Sequence, residues 1–274
     1  MLLAVAAAAL CGPWLQFGER QDPDTRHTAG GQAPDRIDID ASAQRVDAAG
    51  RELVLRVLVT PRGALAEAGG VSAAEDLTLQ TSSSVRGDLS FPAHSRIASV
   101  DVPITLTGGA ITDHPFDAYE AEMEFGAVQG GESLPVRMTL VHRDALFSLA
   151  VDTSEIRGAA VFAAEVARSR SVLVFSVFMT RAMWALAVAV LMGGRHLVRR
   201  RSGPTWPALG RMAATLFAPA AFRNTAPGAP PIGSPLDHPA FFWAETLIAF
   251  CVIVVVVRAV RSEDPPPPRG ATAP

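Results

Sequence analysis

Two charged residues interrupt otherwise apolar runs. Arg181 lies within VLVFSVFMTRAMWALAVAVLM, residues 172–192, and Glu245 within AFFWAETLIAFCVIVVVV, residues 240–257. An ionised side chain at the centre of a bilayer costs about 2.5–3.5 kcal/mol on insertion scales, so such groups pair, line a wet cavity or snorkel outward. Helix rise places Arg181 about 13 Å from the outer end of its run and Glu245 about 8 Å from the outer end of its own. Comparable depth predicts an Arg181–Glu245 ion pair. That pair would act either as a lock on helix rotation or as part of an ion or proton path.

A second cluster is DHPFDAY, residues 113–119, where Asp113, His114 and Asp117 have the chemistry of cation ligands. Pro115 favours the plainer reading, a turn leading into a strand in which Asp caps the backbone. Its motif residues are then Pro115, Phe116, Asp117 and Tyr119. A third group lies in LFAPAAFRNTAPGAPPIGSPLDHPAFFWAE, residues 216–245, where Arg223, Asp237 and His238 are the residues a surface enzyme would use. No nucleophile elbow, phosphate loop, zinc-protease helix or dependable carboxylate pair accompanies any of them. The expectation is therefore a protein that is not an enzyme and has no cofactor or metal. Both cysteines, Cys11 and Cys251, sit in apolar runs, with no zinc or disulfide spacing.

The elements that would position these residues follow from composition and charge. At 49% hydrophobic and 19% charged, the chain is too apolar for an ordinary soluble domain. Every basic residue is arginine. Gly18 to Glu165 carries 23 acidic residues against 12 arginines, and Val166 to Pro274 carries 12 arginines against 4 acids. An acidic globular part argues against nucleic-acid binding, and a basic apolar part suits a membrane. Residues 1–17 are expected to be a signal-anchor or first span, 18–35 a flexible stem, and 171–193 a span. An arginine-rich cytoplasmic loop follows at 194–205. Residues 206–222 make a weaker span, 223–239 an outer loop, 240–260 the cleanest span, and 261–274 a Pro-rich cytoplasmic tail. Arginines beside short loops stay cytoplasmic, which puts residues 36–168 outside a plasma membrane crossed about four times.

Period-2 alternation recurs through that exterior part, as in AYEAEMEF, where Tyr119, Ala121, Met123 and Phe125 share one face. RIDIDASAQRVDA and RELVLRVLVTPRG read as a hairpin turning at Ala49–Gly50. With five further runs, the prediction is an all-β, Ig-like sandwich of about 7–8 antiparallel strands, followed by a helical transmembrane bundle.

The loop pattern carried by Arg223, Asn224, Pro227, Gly228, Pro230, Pro231, Gly233, Asp237, Phe241, Phe242, Trp243 and Glu245, with PFD.Y upstream, resembles a bacterial membrane-protein family of unknown function, domain of unknown function 4436. The resemblance implies a β-domain with helical spans and brings no activity. The start of the chain is shorter than the resemblance leads one to expect, as if the first span were truncated. HPFDAY and the strand-to-helix junction at Ser169–Val174 also give a fainter likeness to pentameric ligand-gated channels, without their cysteine pair. The leading functional reading is an envelope protein whose β-domain binds or scaffolds a cell-envelope component. The alternative is a transport or channel-like component using Arg181 and Glu245. The expected partners are the lipid bilayer, an envelope protein or lipid ligand, and a second copy of the chain.

Overall fold

Alternating apolar residues can be buried only if the strands carrying them line one face of a sheet. The computed structural model describes residues 26–67, 70–199, 206–235 and 237–263, and shows this for the first part of the chain. The chain divides into two units, Met1–Val174 and Phe175–Pro274.

Among its described residues, unit one contains eleven strands: β1 Arg26–Gly30, β2 Arg36–Asp47, β3 Glu52–Arg62, β4 Leu77–Thr81, β5 Leu89–Phe91, β6 Val100–Thr107, β7 Ala118–Gln129, β8 Glu132–Leu134, β9 Val136–His142, β10 Phe147–Ile156 and β11 Ala159–Arg168. They form one hydrogen-bonded sheet in the order β1-β9-β2-β3-β6-β7-β11-β10, with β4 and β8 on β7 and β5 on β4. The β2–β3 hairpin forms where alternation places it, and Asp47 accepts the Gly50 N–H at its turn (2.8 Å). β6 and β7 are joined through only Leu106↔Ala121 and Thr107↔Glu120. There the sheet folds over, so that β9 approaches β7 and β11, and β1 approaches β10. One core fills the interior, with Ile39, Leu53, Leu79, Met123, Phe125 and Phe162 all fully buried.

Three expectations for this unit are corrected. The sheet is mixed rather than purely antiparallel, because β2 and β9 run parallel. Residues 26–30 are not stem but strand β1, paired along its length with β9. RHTAG shows no alternation because backbone bonds and the buried Ala29 hold it there. β5 and β8, at three residues each, are too short for a period-2 signal. Among the described residues the count is eleven strands, not 7–8.

Unit two is helical. Helix α1 is Arg170–Arg199, α2 Trp206–Ala214 and α3 Phe217–Asn224. A π-type turn at Asp237–Phe241 then leads into α4, Phe242–Glu263. Within unit two, Met179, Met183, Ala187 and Val190 of α1 share a core with Leu209 and Met212 of α2 and with Ala244, Ile248, Cys251, Val255 and Ala259 of α4. Spacings of three and four place each set on one helix face. The two long helices run parallel. Trp184 donates to the Pro239 carbonyl (2.8 Å), the Cys251 thiol faces the Val190 carbonyl (3.5 Å), and Gly194 abuts Cys251 and Val255. Residues 206–235 therefore return from one end of the pair to the other.

Two helical stretches, Arg170–Arg199 and Asp237–Arg261, are long and apolar enough to cross a membrane, so the expectation of about four is not met among the described residues. Residues 206–222 are not one span. They break at Thr215–Leu216, where the backbone bonds back three residues. Pro219 lacks the N–H a continuous helix would offer to Thr215, and its ring would crowd that carbonyl. As a new first turn, beginning at Phe217, it fits. The expected loop at 194–205 is helical as far as Arg199. Residues 1–17 and the tail from 264 onward lie outside the described residues.

Small and sulfur-bearing residues let α1 and α4 approach closely. A Cβ at Gly194 would run into the Cys251 sulfur, whereas one at Gly193 meets nothing. Gly194→Ala should therefore cost about 1–3 kcal/mol through overpacking, and Gly193→Ala should cost little. Thermal unfolding in detergent, with maleimide labelling of Cys251 followed by mass spectrometry, distinguishes them. Equal labelling of the two variants would rule out this packing.

Candidate functional site

Strand register builds the site. β7 and β11 are antiparallel with Ala118 opposite Ala167, so one step further brings Asp117 opposite Arg168; β10 pairs Phe147 with that same Arg168. Counting by two from the buried Tyr119 and Val166 shows that Asp117 and Arg168 both occupy core-facing positions. Two opposite charges thus enter the interior side by side, at the end of the sheet from which the chain leaves for α1.

Their geometry is that of a tight clasp. Arg168 Nε lies 3.0 Å from both Asp117 oxygens, and its Nη2 lies 3.0 Å from Oδ2. The Tyr119 hydroxyl donates to Oδ2 at 3.1 Å, and the Arg168 guanidinium carbon stands 4.1 Å over the Phe147 ring. Asp117 is 2% exposed and Arg168 9%. Such a pair contributes little net stability against desolvation, but losing one partner strands the other charge in the interior. One residue on, the Ser169 N–H donates to the Leu146 carbonyl at 3.0 Å, and its carbonyl accepts the Leu173 N–H. The sheet thus hands directly over to the helix.

His114 closes the same pocket, its peptide bond to Pro115 cis and its side chain fully buried. Neither ring nitrogen has a protein partner; Nδ1 stops 3.8 Å short of Asp117 Oδ1. Burial first, and the Arg168 charge second, hold its pKa below the usual histidine value, with Asp117 opposing. Burial, then the Asp117 charge and hydrogen bond, push the Tyr119 phenol up to about 12. Both groups are neutral in the folded protein at physiological pH. Phe116, between the buried Pro115 and Asp117, is 69% exposed.

The structure brings Asp117 and Tyr119 together but not the three cation ligands. Asp113 faces solvent, and the cation beside Asp117 is the Arg168 guanidinium. Among the described residues, no three His, Cys, Asp or Glu side chains converge as a metal site would need. Arg168 was the missed member. An arginine at the core-facing position of AVFAAEVAR was the signal.

The outer loop carries a second clasp. Arg223, at the end of α3, bonds Asp237 through Nε at 3.0 Å and Nη2 at 3.3 Å, and Nη2 also donates to the Pro230 carbonyl at 3.3 Å. The Gly233 N–H donates to Asp237 Oδ2 at 2.8 Å. Gly228, Ala229 and Gly233 take positive φ in the loop so enclosed. Pro230 is buried, while Pro227 and Pro231 are half-buried and Asn224 faces out. Phe241 packs on the helical core, and His238 lies against the Phe242 ring. Trp243 is exposed. Every oxygen of Asp237 is engaged, so the Arg223–Asp237–His238 arrangement offers no free carboxylate base.

The expected Arg181–Glu245 pair is not formed among the described residues. Arg181 lies on the exposed face of α1, two positions from both Met179 and Met183 of the buried stripe. Glu245 is half-buried on α4 with its Oε2 enclosed and unpartnered. Equal depth did not bring them to a common face.

Breaking the buried clasp should be costly. Asp117→Asn is expected to lose about 3–5 kcal/mol in denaturant unfolding, while Asp117→Leu combined with Arg168→Met should recover much of it. A double variant no better than the single would show that the pair's charge is not what the site needs. Stability should also depend on pH at both extremes. A histidine with a depressed pKa contributes stability present above its unfolded value of 6.5 and lost as pH falls through it. A phenol raised from 10.0 to about 12 contributes stability present below pH 10 and lost, by about 3 kcal/mol, as pH climbs to 12. Unfolding followed against pH, with His114→Phe flattening the acid limb and Tyr119→Phe the alkaline limb, checks both.

Comparison with known families divides the chain near the same clasp. The family model of a domain of unknown function, DUF4436, matches residues 27–167, from β1 through β11. A second domain of unknown function, DUF8686, matches residues 168–262, so the outer-loop pattern falls in this second match and PFD.Y in the first. No curated protein matches the chain. With half its length matched by the first model, over the whole β-sheet, the chain belongs to the DUF4436 family.

Proposed function

We propose that the chain is a bilayer-spanning protein, without enzymatic activity, whose β-domain binds or scaffolds a cell-envelope component outside the membrane. The observation that carries this reading is the surface of the helical unit. The parallel helices α1 and α4 bury only 28% of their most apolar windows, whereas a soluble core helix of that hydropathy would be largely buried. Phe178, Met192, Phe250 and Ile253 all point outward, and an apolar solvent is what such a surface fits. At 1.5 Å per residue the two stretches reach about 45 and about 37 Å.

Parallel packing supports an orientation as well. Arg195 and Arg199 end α1, and Arg258 and Arg261 end α4, so the arginines gather at one end of the unit, the end expected in the cytoplasm. The break between α2 and α3 then lies within a return crossing, a broken span shielded by its neighbours. A partner would have a concave surface to occupy at the pole of the β-domain away from Arg168. A groove of about 330 Å³ lies there between β4, β7, β8 and the β10–β11 turn, with Leu134 and Ile156 apolar and Glu124 and Arg157 of opposite charge.

A second reading, a transport component, draws on Glu245, whose enclosed oxygen has no partner. Two measurements separate them. The protein should resist alkaline extraction from membranes, and protease added to intact spheroplasts should remove the β-domain while sparing the α4 end. Reconstituted vesicles should leak ions no faster than empty ones. Flux that disappears in Glu245→Gln would favour the transport reading instead.

A further inference from the structure

The β-domain is acidic as a whole, yet the pole that leads into α1 is not. Register collects at that pole the β2–β3 turn, the segment between β6 and β7, the β9–β10 connection, the start of β1 and the first residue of α1. Arg26, Arg51, Arg143 and Arg170 are all exposed there, and none forms an ion pair among the described residues. Arg51 instead donates to the carbonyls of Leu106, Gly108 and Gly109, which holds its charge at this end. Of the acids at this pole, Asp117 is neutralised by Arg168, Asp144 accepts the Val46 and Leu146 N–H groups, and Asp47 accepts the Gly50 N–H; Asp113 is exposed and Glu52, opposite Asp47 at the start of β3, is half-buried. Amid the arginines stands Phe116, 69% exposed. Its neighbours Pro115 and Asp117 are both buried, and Asp117 is clasped by Arg168, which keeps Phe116 outside the core.

We propose that this pole is a lipid-docking face, on which Phe116 inserts among the headgroups while Arg26, Arg51, Arg143 and Arg170 meet anionic lipid phosphates. The inference rests on the membrane reading above. The occupant follows from the covalent chain. Only Ser169 separates Arg168 from the first residue of α1, and Arg168 clasps Asp117, the residue next to Phe116, so the chain leaves for the proposed span from the same pole that carries Phe116. Phenylalanine is among the residues that bury at the headgroup–acyl boundary, and arginines near an anionic lipid surface are drawn to it. A clasp that fixes a bare phenylalanine outward is wasteful in water and useful at a headgroup layer.

The full chain, reconstituted in phosphatidylcholine vesicles with and without phosphatidylglycerol, tests this through quenching of tryptophan emission by brominated acyl chains. Phe116→Trp should add emission that is quenched, and Val71→Trp, in the loop between β3 and β4 at the far pole, should add emission that is not. Quenching of the residue-116 signal should fall by about half when phosphatidylglycerol is omitted, or when Arg143 and Arg170 are both changed to Gln. The emission of the unmodified chain, from Trp14, Trp184, Trp206 and Trp243, is measured separately. If it is quenched and the added signal of Phe116→Trp is not, the docking face is wrong and the membrane reading stands. If it is not quenched, the membrane reading falls and this inference with it. Signal at residue 116 shielded from lipid only at high protein density would mean that a second copy covers the pole, which also overturns the proposal.

Discussion

The buried contact between Asp117 and Arg168 constrains more of the molecule than any apolar cluster does. Arg168 is the last residue of β11 and Asp117 lies one step ahead of β7, so their bond fixes the register of those two strands at the end where a slip would be easiest. Because side chains alternate faces, a one-residue slip would turn Tyr119, Ala121, Met123 and Phe125 away from the core. The same guanidinium rests on Phe147 and ties in β10. Three strands end together there, and α1 begins two residues later. An apolar pair of equal volume would fill the space but would not distinguish one register from its neighbours. The ion pair is suited to specificity more than to net stability.

Much of this was legible in the residues, though not all by the same route. Long strands such as β2, β3 and β7 announce themselves because half their side chains must be buried. β1, β5 and β8 do not, since backbone pairing places them and few of their side chains enter the core. The clasp occupies a middle position. Asp117 and Arg168 each stand two residues from an apolar residue of core-facing parity, so two buried charges needing partners could be read directly. That they are each other's partners depends on which strands are adjacent, a non-local fact that alternation does not carry.

The helical unit shows the complementary error. Depth along a helix is read from rise alone, but contact also requires azimuth. Met179, Met183, Ala187 and Val190 define the packed face of α1, and Arg181 lies two residues, about 200°, from Met179. Helical phase in the sequence already argued against its meeting Glu245. Glu245 follows the buried Ala244 by one residue, about 100°, which leaves it half-enclosed at the edge of the packed face. The expectation of one span over 206–222 failed for a related reason. Average hydropathy ignores that Pro219 cannot continue a helix through Thr215, while the Arg223–Asp237 clasp, fourteen residues apart in sequence, restores order where the helical ladder is lost.

The two clasps also narrow where chemistry can reside. In each, an arginine grips both oxygens of a buried aspartate, and a further hydrogen bond comes from Tyr119 or from the Gly233 N–H. A carboxylate so occupied is a poor base and a poor metal ligand, since any new partner must displace a bidentate guanidinium. Among the described residues, the buried side-chain atoms without a hydrogen-bond partner are both ring nitrogens of His114, sealed inside the pole of the sheet, Glu245 Oε2, at the edge of the helical core, and His142 Nδ1, Ser169 Oγ and Ser234 Oγ. Burial and the Arg168 charge disfavour a charge on His114, with Asp117 opposing them. In both clasps the buried charges hold loops and strand ends in place.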